Sequence, residues 1–233
     1  MKVPQKILGV YGGMGPAASA EFMRLLATMA PAQCDQEHPI VYLYSNAHTP
    51  DRTAAYFGRG ESPSRALREG LDKLCDWGAD LLAVPCNTAH IFIDRFRSEL
   101  RRPLIHIVEV TVDDAIKAAP EGCWIIATGG TLASGIYTDE AARRGYRLFG
   151  VDEEIRGLAM DTITLVKAGK LKESASVIEK IAGKLWNIRR APIMLACTEL
   201  PLAWQASSLP ADKAISSLVS LSRACIRELY KED

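Results

Sequence analysis

The sequence lacks any excess of one charge: twenty-eight Lys and Arg side chains stand against twenty-eight Asp and Glu, a formal net charge of zero at pH 7. A surface without a dominant sign has no chain-wide attraction for phosphate backbones or anionic bilayers, which argues against nucleic acid and membrane surfaces as partners. No apolar run approaches the length of a membrane span. No two cysteines stand at a Cys-x-x-Cys spacing that would mark zinc or a redox dithiol. Six cysteines in 233 residues are also too sparse for a disulfide scaffold, so a reducing, cytoplasmic compartment is expected. What is there is ordinary globular material, 48% apolar and 24% charged, enough for one large domain or two small ones with cores of their own.

One segment imitates a secretion signal, with Lys2 and Lys6 ahead of the apolar stretch from Ile7 to Met14 and Ala18-Ser19-Ala20 beyond it. Gly9, Gly12, Gly13, Gly15 and Pro16 would spoil a helical apolar region, whereas a short strand entering a glycine turn uses each of them. The segment is therefore read as part of the fold.

Short apolar runs alternate with helical patterns along the chain. Strands are expected from Ile7 to Tyr11, Ile40 to Tyr44, Leu81 to Val84 and Leu104 to Val110. Helices are expected from about Pro16 to Met29, from about Ser62 with Leu67, Leu71 and Leu74 on one stripe, and from Thr88. Continuous apolar strands between helices indicate a mostly parallel sheet covered on both faces. The second half repeats this outline: the strand from Trp124 enters the turn Gly129-Gly130-Thr131, and the strand from Pro192 delivers Cys197 as the one from Leu81 delivers Cys86. Val177, Ile178, Ile181 and Leu185 give this half its own amphipathic helix. The fold class is thus α/β, two similar three-layer domains facing each other. Residues 1–113 with 208–233 form the N-terminal domain carrying Cys86, and 114–207 form the second, carrying Cys197. A last helical pattern from about Ala211 to Leu229 has no counterpart between the halves and is expected to pack back on the first.

Ligands of open α/β sheets bind beyond the carboxyl ends of the strands. Both glycine turns and two cysteines lie at such ends. Cys86 and Cys197 each precede an expected helix start, where the dipole and free amides favour a thiolate. Cys34, Cys75, Cys123 and Cys225 read as idle or buried thiols. Taken singly, Cys86 and Cys197 are as readily buried strand-end residues as reactive ones; their recurrence across the repeat favours chemistry. Two thiols facing one carbon from opposite sides would invert its configuration, one thiolate removing the Cα proton and the other thiol delivering one. No metal is expected, because Cys86 and His90 have no second ligand pair of suitable spacing, and His48 and His106 carry no readable signal. The run Gly13-Met14-Gly15-Pro16-Ala17-Ala18 fits a dinucleotide turn, but Ser45-Asn46 stand where the acidic ribose partner belongs, and backbone approach to a small carboxylate explains the glycines equally well. Arg52, in a loop after the second strand, is suited to fork a carboxylate. Lys167 ends a helix, where a cation complements the dipole.

These pieces together resemble the aspartate/glutamate racemase family. The resemblance spans about residues 7 to 202. It rests on Gly12-Gly13-Met14-Gly15-Pro16, Pro50-Asp51-Arg52-Thr53, Pro85-Cys86-Asn87-Thr88-Ala89-His90, Ala127-Thr128-Gly129-Gly130-Thr131 with Ser134-Gly135-Ile136-Tyr137, Val166-Lys167-Ala168-Gly169, and Ala196-Cys197-Thr198-Glu199-Leu200. It implies two domains related by a pseudo-twofold axis, an active site in the cleft between them, no cofactor, and a homodimer. It implies Cys86 and Cys197 as acid/base thiols and Met14, Arg52, Asn87, Thr88, Thr128, Lys167 and Thr198 as contacts to a small amino-acid substrate. Arg52 and Lys167 together suit a dicarboxylic acid, aspartate foremost, with glutamate or a broader set also open. The chain departs from the family at Ala214-Ile215-Ser216-Ser217, where relatives usually carry an Asp-Pro pair. Maleate isomerase or malonate decarboxylase chemistry on the same fold, and a non-catalytic amino-acid or nucleotide-binding module, are the alternatives.

Overall fold

The computed structural model of the chain describes residues 3–231. In chain order the elements are β1 (Leu8–Gly12), α1 (Pro16–Met29), β2 (Val41–Ser45), α2 (Arg52–Tyr56), α3 (Ser64–Asp76), β3 (Leu81–Ala83), α4 (His90–Ile93), β4 (Leu104–Ile105) and α5 (Ile107–Ala118). There follow β5 (Cys123–Ala127), α6 (Gly129–Ala133), α7 (Ile136–Arg143), β6 (Leu148–Phe149), α8 (Glu153–Lys167), α9 (Leu171–Ile188), β7 (Ile193–Ala196), α10 (Leu200–Gln205), β8 (Ala214–Ser216) and α11 (Ser217–Leu229). Two compact units result. One runs to Ile107 and resumes at Leu218, and the other is Val108–Ser217.

Among the described residues each unit holds one four-stranded parallel sheet, in the order β2-β1-β3-β4 and β6-β5-β7-β8. The orders correspond strand for strand, so the duplicated pattern of the sequence is a duplicated topology. Parallel strands need crossovers, and the helices that supply them bury both faces, which is why β1, β3, β5 and β7 are buried throughout.

In the first unit Leu67, Leu71 and Leu74 of α3 are fully buried, as their spacing requires. The helix lies so close to the sheet that a Cβ on Gly70 would stand 1.9 Å from the Tyr11 ring. Gly70→Ala is therefore expected to force that ring aside and lower stability by about 1–3 kcal/mol, read as a lower urea midpoint at unchanged slope. In the second unit α8 lays Ile155, Ala159, Ile163 and Val166 against Ile178, Ile181 and Leu185 of α9, with Asp152 capping α8 through the Ile155 amide at 2.9 Å.

Three local expectations change. Past Ile105 the chain turns into α5 rather than continuing as strand to Val110, because Glu109, Asp113 and Asp114 space the apolar positions at helical rather than alternating period. Residues 87–89 form turns and α4 is only four residues long, so no helix begins at Thr88. The expected helix from Ala211 is instead a short 3₁₀ turn, then β8, then α11 from Ser217. The departing Ala214-Ile215-Ser216 thus supplies the fourth strand of the second sheet, in register with Ile193, Met194 and Leu195. From Leu218 onward α11 belongs to the first unit, and it does have a counterpart, because α11 follows β8 as α5 follows β4.

Candidate active site

In each unit most of the candidate site residues lie in the loops that follow the carboxyl ends of the strands. In the first, the turn after β1 meets the loop after β2. Gly13 has φ +93°, and a Cβ there would lie 2.4 Å from the Asn46 carbonyl carbon, so the position requires glycine on both counts. Its amide donates to Ser19 Oγ at 2.9 Å. Three polar groups close a ring beside it: Asn46 Nδ2 donates to Tyr11 Oη at 3.1 Å, the Tyr11 hydroxyl lies 2.8 Å from Thr49 Oγ1, and Thr49 Oγ1 donates to the Asn46 carbonyl at 2.8 Å. Since Thr49 spends its proton on Asn46, Tyr11 is the donor between the hydroxyls.

This ring fixes the carbonyls that hold Arg52. Arg52 opens α2 behind the N-cap Asp51, whose Oδ1 accepts from the Ala54 amide at 2.6 Å. Its Nη1 donates to the Thr49 and Pro50 carbonyls, both at 3.1 Å, and its Nη2 reaches the Met14 carbonyl at 3.5 Å. The guanidinium is thus oriented by three neutral acceptors and, among the described residues, has no carboxylate partner. Met14 is buried in the same cluster as Cys86, Val84 and Ala89.

Cys86 follows β3 and is 6% exposed. Its amide turns back on the Val84 carbonyl at 2.8 Å, and its own carbonyl accepts from His90 Nδ1 at 2.9 Å, an acceptor that an α-helix would have given to the His90 backbone amide. That amide goes to Asn87 instead, at 3.1 Å, which is why no helix forms at Thr88. Asn87 and Thr88 are buried beside Cys86 in the chain. The expected helix-dipole influence on this thiol has no helix of adequate length behind it.

In the second unit Cys197 directly follows β7, also 6% exposed. Its Sγ donates to Glu199 Oε2 at 3.0 Å, and Thr198 Oγ1 donates to the same oxygen at 3.4 Å. Burial pushes the thiol well above the ordinary range, the Glu199 carboxylate adds to it by charge and hydrogen bond, and the Glu199 amide and Lys167 pull the other way. The thiolate-favouring setting expected here is thus reversed: this sulfur is held as a thiol. Lys167, the last residue of α8, is exposed and within electrostatic reach of that sulfur. Thr128 caps α6, its Oγ1 accepting from the Thr131 amide at 3.2 Å and donating to Thr131 Oγ1 at 3.0 Å. Tyr137, fully buried, hydrogen-bonds Thr111 and Ser217, and Ser217 Oγ donates to the Leu195 carbonyl on the cysteine-bearing strand at 2.9 Å.

Glu199, His90 and Tyr137 lie within the motifs that the sequence singles out but are given no role in the site there. The signal for Glu199 was an acidic side chain two residues past a cysteine in one turn, close enough to share a proton. Glu199→Gln removes the opposing charge and is expected to lower the Cys197 pKa, raising its iodoacetamide alkylation rate at a fixed, mildly alkaline pH about tenfold. Peptide mass mapping, with exposed Cys34 as internal standard, reads it. An unchanged rate would contradict the role given to the carboxylate.

Among the described residues, no group of three or more His, Cys, Asp or Glu is arranged to hold a metal ion, and no helix is long and apolar enough to cross a membrane.

The two-unit α/β architecture is that of solved amino-acid racemases. An aspartate racemase from Picrophilus torridus is 29% identical, with a TM-score of 0.84 over 97% of this chain and 94% of that one. A broad-specificity amino-acid racemase of Bacillus subtilis is 28% identical over 137 residues, 56% of this chain and 58% of that protein. A glutamate racemase of Aquifex aeolicus is 30% identical over 112 residues, 47% of this chain and 42% of that protein. The aligned stretches thus span about half the length of these two curated relatives. The family model described as Asp/Glu/hydantoin racemase matches residues 12–218. The chain belongs to the Asp/Glu/hydantoin racemase family.

Proposed function

We propose that the protein racemises an acidic amino acid, aspartate foremost, by proton transfer between Cα and two thiols, Cys86 and Cys197. The observation that carries this reading is the recurrence of a buried cysteine after the third strand in chain order of each sheet, at the corresponding place of a duplicated topology. Inversion at carbon needs a proton carrier for each face, and two thiols suffice without a cofactor.

Inversion by two carriers needs one of them protonated while the other is not. Held by Glu199, Cys197 rests as the acid. The two-carrier mechanism then gives Cys86 the part of the base. It takes the α-proton, the C–H electron pair spreads into the substrate carboxylate, and Cys197 gives its proton to the opposite face. The S–H bond at Cys197 breaks as the new C–H bond forms. The resulting Cys197 thiolate beside the Glu199 carboxylate is disfavoured by like charge, so it takes a proton from solvent while Cys86 releases to solvent the proton it removed, and the pair is reset.

Arg52, oriented and without a counter-ion, supports an acidic substrate, and Lys167 supports a second carboxylate. Met14, Asn87, Thr88, Thr128 and Thr198 complete the proposed substrate contacts. Chiral chromatography after incubation with each enantiomer of aspartate and glutamate tests this. Interconversion of aspartate is expected, and no interconversion of either amino acid would overturn the reading. Turnover of maleate in its place would move the chemistry to double-bond isomerisation.

A further inference from the structure

We propose that His90 is a positioning residue for Cys86, its neutral imidazole holding the Cys86 carbonyl and so the turn that aims the thiol. The inference rests on the reading of Cys86 as one of the two proton carriers.

His90 is completely buried. An imidazole in such a place costs free energy unless both ring nitrogens are engaged, and an apolar side chain would fill the space at less cost. Both nitrogens are engaged, and by backbone. Nδ1 lies 2.9 Å from the Cys86 carbonyl, which can only accept, so Nδ1 carries the proton. Nε2 lies 3.5 Å from the Ile107 amide, which can only donate, so Nε2 does not. The two partners demand the same neutral tautomer. Burial, and then the neighbouring His106, push the His90 pKa down to about 3, against the pull of the Cys86 carbonyl, so that tautomer persists through the working range of pH.

The ring is itself held. His106 packs against it edge to face, centroids 4.5 Å apart at 76°. His106 Nε2 in turn lies 3.0 Å from Asp94 Oδ1, a carboxylate that only accepts, which fixes the His106 ring. Asp94 therefore orients His106, His106 confines His90, and His90 binds the one residue of the loop that bears a thiol. The histidine bond also diverts the Cys86 carbonyl from helical pairing and keeps residues 87–89 as turns. Losing it frees the carbonyl to accept from a backbone amide and swings the thiol, and a misplacement of about 1 Å can cost about 100-fold in rate.

Three substitutions separate positioning from mere filling. His90→Asn keeps an amide N–H where Nδ1 stands, His90→Gln moves the amide outward toward the Nε2 position, and His90→Leu removes both the donor and the acceptor. For each, the thermal midpoint is measured, alkylation by iodoacetamide is mapped separately at Cys86 and Cys197, and kcat and KM are determined with L- and D-aspartate. The expected result for His90→Leu and His90→Gln is a Cys86 alkylation rate changed about tenfold and kcat lowered about 30- to 100-fold at nearly unchanged KM, with Cys197 alkylation unchanged. His90→Asn is expected to restore both readouts to within about threefold of wild type. If His90→Leu does not fold, the Asn and Gln variants decide the matter between them. Unaltered Cys86 alkylation in His90→Gln, or equal changes at both cysteines, would overturn the proposal. A wild-type protein that alkylates as expected but racemises nothing would overturn the proposed function and leave the role of His90 standing on the alkylation pattern.

Discussion

Cys86→Ser and Cys197→Ser are each expected to lower kcat/KM for aspartate racemisation about 1,000-fold or more, at the upper part of what a positioned acid or base contributes. Serine preserves size and polarity at both sites, and its hydroxyl ionises far above any thiol, so proton transfer fails while the fold stands. The two enantiomers have equal free energy, so kcat/KM must fall by the same factor in both directions whichever thiol is lost. Exchange of the α-proton need not: the variant that keeps Cys86 should still wash the proton of one enantiomer into solvent, and the variant that keeps Cys197 the proton of the other. Chiral chromatography gives the first result and proton NMR in heavy water the second. Racemisation surviving either substitution would end the two-thiol mechanism.

The second large effect is at Arg52. Arg52→Lys keeps the charge but removes the planar fork, and one ammonium cannot satisfy the Thr49, Pro50 and Met14 carbonyls while presenting a bidentate edge to a substrate. A charge-assisted hydrogen bond is worth about 1.5–3 kcal/mol, so kcat/KM for aspartate should fall about 10- to 150-fold. The change should be mainly a rise in KM, because carboxylate binding is common to ground and transition states. A substrate without a side-chain carboxylate tests which carboxylate Arg52 holds. If its kcat/KM falls by the same factor, Arg52 grips the α-carboxylate; if it is spared, Arg52 grips the side chain. Wild-type kinetics of Arg52→Lys on every substrate would remove Arg52 from the site.

Much of this was legible in the sequence because the governing physics is local. Apolar runs buried on both faces announce parallel strands, and the stripe Leu67, Leu71, Leu74 announces the helix that covers β1. The glycine of the first turn declares itself because no side chain fits beside Asn46. What the sequence concealed depends on side chains answering backbone at a distance. His90 reads as an interior residue of a helix from Thr88 until its ring is seen to take the carbonyl that such a helix needs, so that the helix begins only at His90. Cys197 reads as a thiolate at a helix start until Glu199 turns back on it. The strand of Ala214 to Ser216 was hidden inside an apparent helical pattern, since three residues are too few to show a period of two and only pairing with Ile193 to Leu195 makes them a strand.

The most direct test of the two-thiol account is the isotope pattern of the first turnovers when L-aspartate is incubated with the protein in heavy water. With one thiol for each face, the D-aspartate formed early carries deuterium at Cα while the remaining L-aspartate keeps its protium. Deuterium appearing equally in both enantiomers from the outset would mean a single carrier serving both faces, and would contradict the assignment of Cys86 and Cys197 as a pair.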